Sequence, residues 1–188
     1  MRKLIFTMNI SLDGVADHNV AIADDELHVF STDLLANVDM ILFGRVTYQL
    51  MESYWPVAHE DPNATRGEIE FANRINAMPK IVFSKTLEKA TWNNTRLFKG
   101  DMVEEVLKLK QGTGGSLSIG GISLIQTCMR LKLIDEYWLL VHPVIWGKGR
   151  RLFDGTADRL DLRLIDSQTF KSGVVVLHYL PAEGNAQT

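Results

Sequence analysis

The chain has a single cysteine, Cys128, in 188 residues, and no apolar run close to the ~18 residues that a membrane span requires. One thiol rules out an intrachain disulfide and suits a reducing, cytoplasmic setting. Cys128 itself lies in an apolar helical stretch and reads as a buried, inert thiol. Charge of one sign is scarce as well: 20 Lys and Arg stand against 23 Asp and Glu, for a formal net charge of -3. That balance argues against a general affinity for nucleic acid or anionic membrane, while leaving room for a local basic pocket. The short basic run Lys148-Gly149-Arg150-Arg151 reads as a solvated turn. The histidines show no metal-ligand spacing, and His59-Glu60-Asp61 reads as a polar loop, so no metal site is expected. No Gly-x-Gly-x-x-Gly follows the first apolar segment, and no Gly-x-x-x-x-Gly-Lys occurs. Ordinary Rossmann dehydrogenases and P-loop nucleotidases are thereby disfavoured.

What is present is a globular composition, 46% hydrophobic and 23% charged. A chain of this length buries roughly 70% of its unfolded surface and needs no staples. One domain is expected over residues 1–181, with a frayed tail at 182–188. The N-terminal apolar stretch breaks at Asn9, Ser11 and Asp13, too soon for a signal peptide, and reads as a strand over Leu4 to Ile10. Asp24, Asp25 and Glu26 open a helix, acids suiting the positive end of its dipole, with Leu27, Phe30, Leu34 and Leu35 on its buried face. Met40 to Phe43 is a short, continuously apolar strand of the kind covered on both faces. A helix carrying Tyr48, Met51 and Trp55 follows, ended by Pro56, then a polar loop at 57–64 and a helix over Thr65 to Asn76. Strands at 81–83 and 95–98 precede a helix that Asp101 caps, with Val103, Val106 and Leu107 inward. A strand at 117–119, a helix at 122–131 and strands at 137–141, 162–165 and 174–177 complete the pattern. Alternation of strand and helix implies a mostly parallel central sheet in an α/β fold, with antiparallel C-terminal strands.

Three strand ends carry small or cationic residues: Gly44-Arg45-Val46-Thr47, Ser84-Lys85-Thr86 and Gly120-Gly121. In open α/β sheets ligands bind beyond the carboxyl ends of the strands. Two of these turns feed helix N-termini, whose free N–H groups and dipole attract phosphate. Glycine admits a phosphate close to the backbone, Arg45 and Lys85 supply cations, and Thr47, Ser84 and Thr86 supply hydroxyls. Together they suit a ligand with several phosphates, such as a dinucleotide.

The same segments carry a resemblance. Ser11-Leu12-Asp13-Gly14, Gly44 to Tyr48, Val82 to Leu87, Gly120 to Leu124, Leu133 to Glu136, His142-Pro143-Val144 and Gly147-Lys148-Gly149 are similar to the dihydrofolate reductase-like superfamily. Among its branches, the chain most resembles the riboflavin-biosynthesis reductase family, the RibD C-terminal domain, in stand-alone form. The resemblance implies a three-layer dihydrofolate reductase-like fold, NADPH as cofactor, and hydride transfer to a pyrimidine or pteridine-type substrate. It carries Gly44, Arg45 and Thr47 onto the first phosphate turn, Ser84 and Lys85 onto the 2′-phosphate turn, beside which Thr86 is a further candidate, and Gly120 and Gly121 onto the turn near the pyrophosphate and nicotinamide. Lys85 stands where an arginine is common, which keeps the charge but loses the bidentate fork. Glu26 resembles the position of the family's carboxylate, with Asp25, Asp24 or Asp13 as alternatives; Tyr48 and Trp55 are candidates to line the substrate cavity, although their helical spacing with Met51 makes core packing the default. A homodimer is implied through the C-terminal strands or the 143–155 segment. The chain holds no zinc-deaminase module, whose signature needs more cysteines than one. A non-catalytic, dimeric ligand-binding module with the same fold, and a flavin- or NADH-using oxidoreductase, are the other readings.

Overall fold

Apolar alternation in the first strand sets the layering. In the computed structural model, which describes residues 1–155 and 159–182, β1 (Leu4–Ser11) sends Leu4, Phe6 and Ile10 to one face of the sheet and Ile5 to the other. The remaining strands are β2 (Val38–Gly44), β3 (Lys80–Phe83), β4 (Thr95–Phe98), β5 (Ser116–Gly120), β6 (Glu136–His142), β7 (Leu162–Thr169) and β8 (Val175–Pro181). They form one sheet in the order β4-β3-β2-β5-β1-β6-β8-β7. The first six are parallel, whereas β8 pairs antiparallel with β6 and β7 antiparallel with β8.

Five α-helices are described: α1 (Asp25–Leu34), α2 (Arg45–Glu52), α3 (Arg66–Ala77), α4 (Met102–Gln111) and α5 (Ile122–Arg130). Helices α4 and α5 place Val106, Leu124, Ile125, Cys128 and Met129 against Phe6, Leu42 and Ile119. On the opposite face Tyr48 and Ile75 of α2 and α3 pack on Ile41, Phe43 and Val82, and Leu27 of α1 packs on Leu140 and Val176. The result is the expected three-layer fold. Each fully buried aliphatic or aromatic side chain in these layers contributes roughly 1.5–3 kcal/mol by leaving water.

Local chemistry sets the helix starts. Asp24 accepts the Leu27 N–H at 2.8 Å and caps α1. Thr65 and Glu68 form a reciprocal capping box on α3. Asp101 accepts the N–H groups of Val103 and Glu104 and caps α4.

Several sequence expectations are corrected. Helix α2 stops at Glu52, and Pro56 sits in the first turn of a separate 3-10 helix, Trp55–Glu60, which fills much of the expected 57–64 loop. Proline is tolerated there because a first-turn N–H needs no partner. Trp55 therefore does not belong to α2. Leu107 is exposed, and α4 instead buries Glu105 and Lys110, each neutralised by an ion pair, with Arg96 and Asp135. The hairpin strands β7 and β8 run longer than expected, meeting through a turn that includes Gly173 at φ 85°. Residues 183–188 of the expected frayed tail lie outside the described residues.

Candidate active site

The crossovers after β2 and β5 diverge: α2 leads outward to β3, and α5 leads across β1 to β6. A crevice of the kind that holds ligands in open α/β sheets therefore lies at the carboxyl ends of β2 and β5. Phe43 of β2 is in register with Gly120 of β5, so the two following turns meet. They meet closely. A β-carbon on Gly121 would lie 3.2 Å from the Gly44 nitrogen, 3.3 Å from its Cα and 3.4 Å from Thr47 Oγ1. Gly121 also holds φ at 112°, which side-chain-bearing residues rarely adopt. Gly44 and Gly121 are the N-caps of α2 and α5, and neither helix has a side-chain cap. The first-turn N–H groups of two helices are thus left for another acceptor beside one glycine-lined gap.

Arg45 is exposed at the first position of α2 and makes one long contact, 3.4 Å, with Gln49. At the end of β3, next in the sheet, Ser84 Oγ accepts from the N–H groups of Thr86 and Leu87 at 3.2 and 2.9 Å. This fixes a tight turn that leaves Lys85 and Thr86 exposed. All eight residues expected on the three turns therefore lie along the carboxyl edge of β3, β2 and β5.

The expected carboxylates sit at the other half of that edge, each already engaged. Asp13 Oδ1 accepts from the Ser11 hydroxyl at 2.6 Å and the Trp146 N–H at 2.9 Å, and Oδ2 accepts from the Gly147 N–H at 2.9 Å. These bonds hold its carboxyl well below the usual range, chiefly through Ser11. Asp13 thus ties the segment after β1 to the segment after β6, a seam that the Leu12 N–H to Val144 O and Ala16 N–H to Arg150 O bonds continue. Asp25 accepts the Gly67 N–H at 2.7 Å and, with the Thr65 hydroxyl as the main cause, is also held low. Glu26 accepts the Lys171 N–H at 2.9 Å, linking α1 to the β7–β8 turn.

Tyr48 is fully buried, between Phe43 and Trp92, with its hydroxyl donating to Glu52 at 2.6 Å. It packs the core and does not line a cavity, because helical spacing turns it toward the sheet. Trp55 is half-buried against His28, Tyr54 and Phe71.

Sequence reading missed His142 and Asn9. His142, fully buried at the end of β6, accepts the Ile22 N–H on Nδ1 at 3.0 Å, so its proton sits on Nε2, 2.9 Å from Asn9 Oδ1. Burial keeps it neutral by lowering its pKa. It anchors the segment leading into α1, a role that its place in the resembling segment His142-Pro143-Val144 does not disclose. Also missed were the exposed apolar residues Leu12, Ile22 and Ile145 near the ends of β1 and β6. Two cavities, of about 300 Å³ beside Glu52, Asn76 and Trp92 and about 420 Å³ beside Arg2, Asp39 and Gly115, open at the amino ends of the strands, away from this crevice.

A three-layer fold with this crevice and sheet topology is dihydrofolate reductase-like. The chain belongs to the RibD C-terminal domain family, whose pattern it matches over residues 2–176. It is 35% identical over 185 residues to the uncharacterized protein YyaP of Bacillus subtilis strain 168, covering 95% of this chain and 94% of that one. Among solved structures it resembles RibD of Acinetobacter baumannii with a TM-score of 0.71 at 16% identity, covering 97% of this chain and 59% of that one. It resembles dihydrofolate reductase of Enterococcus faecalis, solved with NADP(H), with a TM-score of 0.62 at 14% identity, covering 96% and 97% of the two chains. These two likenesses bear on the fold.

Proposed function

We propose that the protein is an NADPH-dependent reductase that passes a hydride to a heterocyclic substrate of pyrimidine or pteridine type. The observation that carries this reading is the contact of Gly44 with Gly121, which sets two uncapped helix N-termini beside one gap. In this reading the N–H groups of α2 and α5, with Arg45 and Thr47, hold the pyrophosphate, and Gly44, Gly120 and Gly121 let it approach the backbone. Ser84, Lys85 and Thr86 hold the 2′-phosphate, which NADH lacks. Bound there, NADPH supplies the hydride. Leu12, Ile22 and Ile145 offer an apolar surface for a flat ring, with Trp55 further along the α1 face. Asp13 and Asp25, held ionised, brace loops rather than donate protons. Glu26, with one oxygen on the Lys171 N–H, is the carboxylate that holds or relays a proton at the acceptor atom.

The exposed edge strand β7, with Leu164 and Ile165 open to solvent, suits pairing with a second copy, and light scattering should give twice the chain mass. The buried single thiol suits the cytoplasm, as does a chain in which no described helix is long and apolar enough to cross a membrane.

The test is a titration with NADPH and NADH followed by nicotinamide fluorescence. NADPH should bind at least tenfold more tightly, and Lys85→Ala should weaken NADPH by roughly tenfold while leaving NADH within about twofold. Equal binding of the two, or binding of neither, overturns the reading. The engagement of Asp24, Asp25 and Glu26 by backbone N–H groups favours a second reading, a binding module without turnover. Glu26→Gln separates the two: a reductase keeps NADPH binding and loses its rate of NADPH oxidation in a screen of pterins and aminopyrimidines, whereas a binding module has no rate to lose.

A further inference from the structure

Asn9 stands where the sheet divides. The pairing of β1 with β5 runs from Leu4 with Leu117 to Phe6 with Ile119, and β5 ends one residue later at Gly120. Met8 to Ser11 pair with β6, past the end of β5. Asn9 is in register with Leu140, on which Leu27 of α1 packs, so its side chain lies on the face that α1 covers. A hydrogen-bond relay fixes which way its amide points. The Ile22 N–H donates to Nδ1 of the fully buried His142 at 3.0 Å, which bars a proton from that nitrogen. Burial, which lowers the His142 pKa, likewise keeps the ring neutral. Its one proton is therefore on Nε2 and is donated to Asn9 Oδ1 at 2.9 Å. With the amide turned over, its NH2 group would face that N–H donor to donor. The half-buried Asn9 consequently holds its NH2 group away from His142, and among the described residues no acceptor takes either proton.

We infer that Asn9 is a specificity-determining residue of the substrate site, whose locked NH2 group donates to a ring carbonyl (oxo) oxygen of the heterocycle. The inference rests on the reductase reading above. In that reading the nucleotide runs along the strand ends in sheet order, its 2′-phosphate at β3 and its pyrophosphate between β2 and β5. The next strand is β1, so the nicotinamide end arrives at the stretch of β1 that extends past β5, where Asn9 stands. A heterocycle that takes the hydride lies against that ring, on the face that α1 covers. An unrestrained asparagine is free to rotate, and accepts from an amino group as readily as it donates to a carbonyl. With Oδ1 committed to His142, Asn9 only donates. It therefore favours an oxo substituent and rejects an amino one at the same position, because the amino group leaves donor facing donor.

Pterin and 2,4-diaminopteridine differ at one carbon, oxo in the first and amino in the second, and serve as the probes. Each is titrated into protein saturated with NADP⁺, following pteridine fluorescence. Wild type should bind pterin at least about tenfold more tightly. Asn9→Asp keeps an oxygen for the His142 N–H but puts an acceptor where the donors were. It should weaken pterin by at least about tenfold and reverse the preference. Asn9→Leu has a similar shape with neither donor nor acceptor, and keeps the measurement available if Asn9→Asp does not fold. It should bring the two compounds within about threefold of each other. NADPH affinity should stay within about twofold in both variants, since the phosphate turns are untouched. A purely structural role, holding His142 and the Ile22 segment, would leave the preference unchanged in Asn9→Asp, which keeps that bond, and this result overturns the inference. A preference that survives in Asn9→Leu does the same, as does a wild type that binds NADPH but takes the two pteridines equally, or neither. A wild type that binds no NADPH defeats the reductase reading itself, and that titration is made before any variant.

Discussion

Replacing Gly121 with alanine is expected to abolish NADPH binding, by a factor of at least about a hundred, or roughly 2.7 kcal/mol. Two effects act together. The backbone at Gly121 holds φ at 112°, and forcing an alanine there costs on the order of 1–3 kcal/mol. The new methyl would also stand 3.2 and 3.3 Å from the nitrogen and Cα of Gly44, so the two phosphate turns must separate. Backbone cannot yield as a flexible side chain can, and the gap that admits a pyrophosphate is lost. The folded state should survive with a melting temperature lower by about 2–12 °C, given ~2–4 °C per kcal/mol for a chain of this size. Gly14→Ala provides the control. Gly14 also has positive φ, 79°, but a β-carbon there meets nothing within 4 Å. It should lose stability and keep NADPH. Fluorescence titration and thermal melting of both variants make the comparison. NADPH affinity within about threefold of wild type in Gly121→Ala would mean that phosphate does not occupy this gap.

Replacing Lys80 with methionine should destabilise the protein by about 2 kcal/mol at pH 7, and the deficit should widen in alkali. Lys80 is a lysine at a core position, 1% exposed. Its ammonium donates to the Ile75 and Met78 carbonyls at 2.7 Å and to Asn76 O at 3.2 Å, capping the end of α3, and it lies 4.6 Å from the centre of the Trp92 ring. Methionine fills the volume but leaves those carbonyls without a donor, at roughly 1–3 kcal/mol for a buried group. Burial also pushes the Lys80 pKa down to about 8, from 10.5. The sign follows from proton counts. Between pH 8 and 10.5 the unfolded chain holds a proton that the folded chain has released, so stability attributable to Lys80 rises with pH across that window and is flat below it. The full rise is on the order of 3 kcal/mol. Urea denaturation of wild type and variant at pH 7, 9 and 10 isolates it, because the other titrating groups are common to both. A deficit that stays constant from pH 7 to 10 would show that the carbonyls and the Trp92 face keep the ammonium charged.

Much of the fold was legible because local signals and burial agreed. Met40 to Phe43 is apolar without interruption because β2 is covered on both faces, and Asp101 and Asp24 announce their helices by the bonds they make. The three turns were legible as strand ends for the same reason, since glycine and small polar residues punctuate a strand. Failures came where tertiary partners overrode local pattern. Leu107 sits on the expected inward face of α4, but ion pairs let Glu105 and Lys110 take buried positions instead. Helical spacing already favoured core packing for Tyr48 over its candidacy as a cavity residue, but the loop bearing Trp92 that closes over it was not legible. The acids at 24–26 were legible as a helix start, but their backbone partners, Leu27, Gly67 and Lys171, include two that lie 42 and 145 residues away in sequence, which no local pattern discloses. The partners of His142, Ile22 and Asn9, were illegible for the same cause.

The place of β1 in the middle of the sheet has a consequence for the time order of synthesis. Its residues pair with β5 on one side, Leu4 with Leu117, and with β6 on the other, Phe6 with Tyr137. At ~5–20 residues per second, β1 leaves the ribosome on the order of ten seconds before β5 and β6 do. During that interval β2, β3 and β4 can assemble with α2 and α3, while the apolar segment Leu4 to Ile10 remains without a partner. It is made well before the strands that seat it, which gives a chaperone a reason to hold this stretch of the nascent chain.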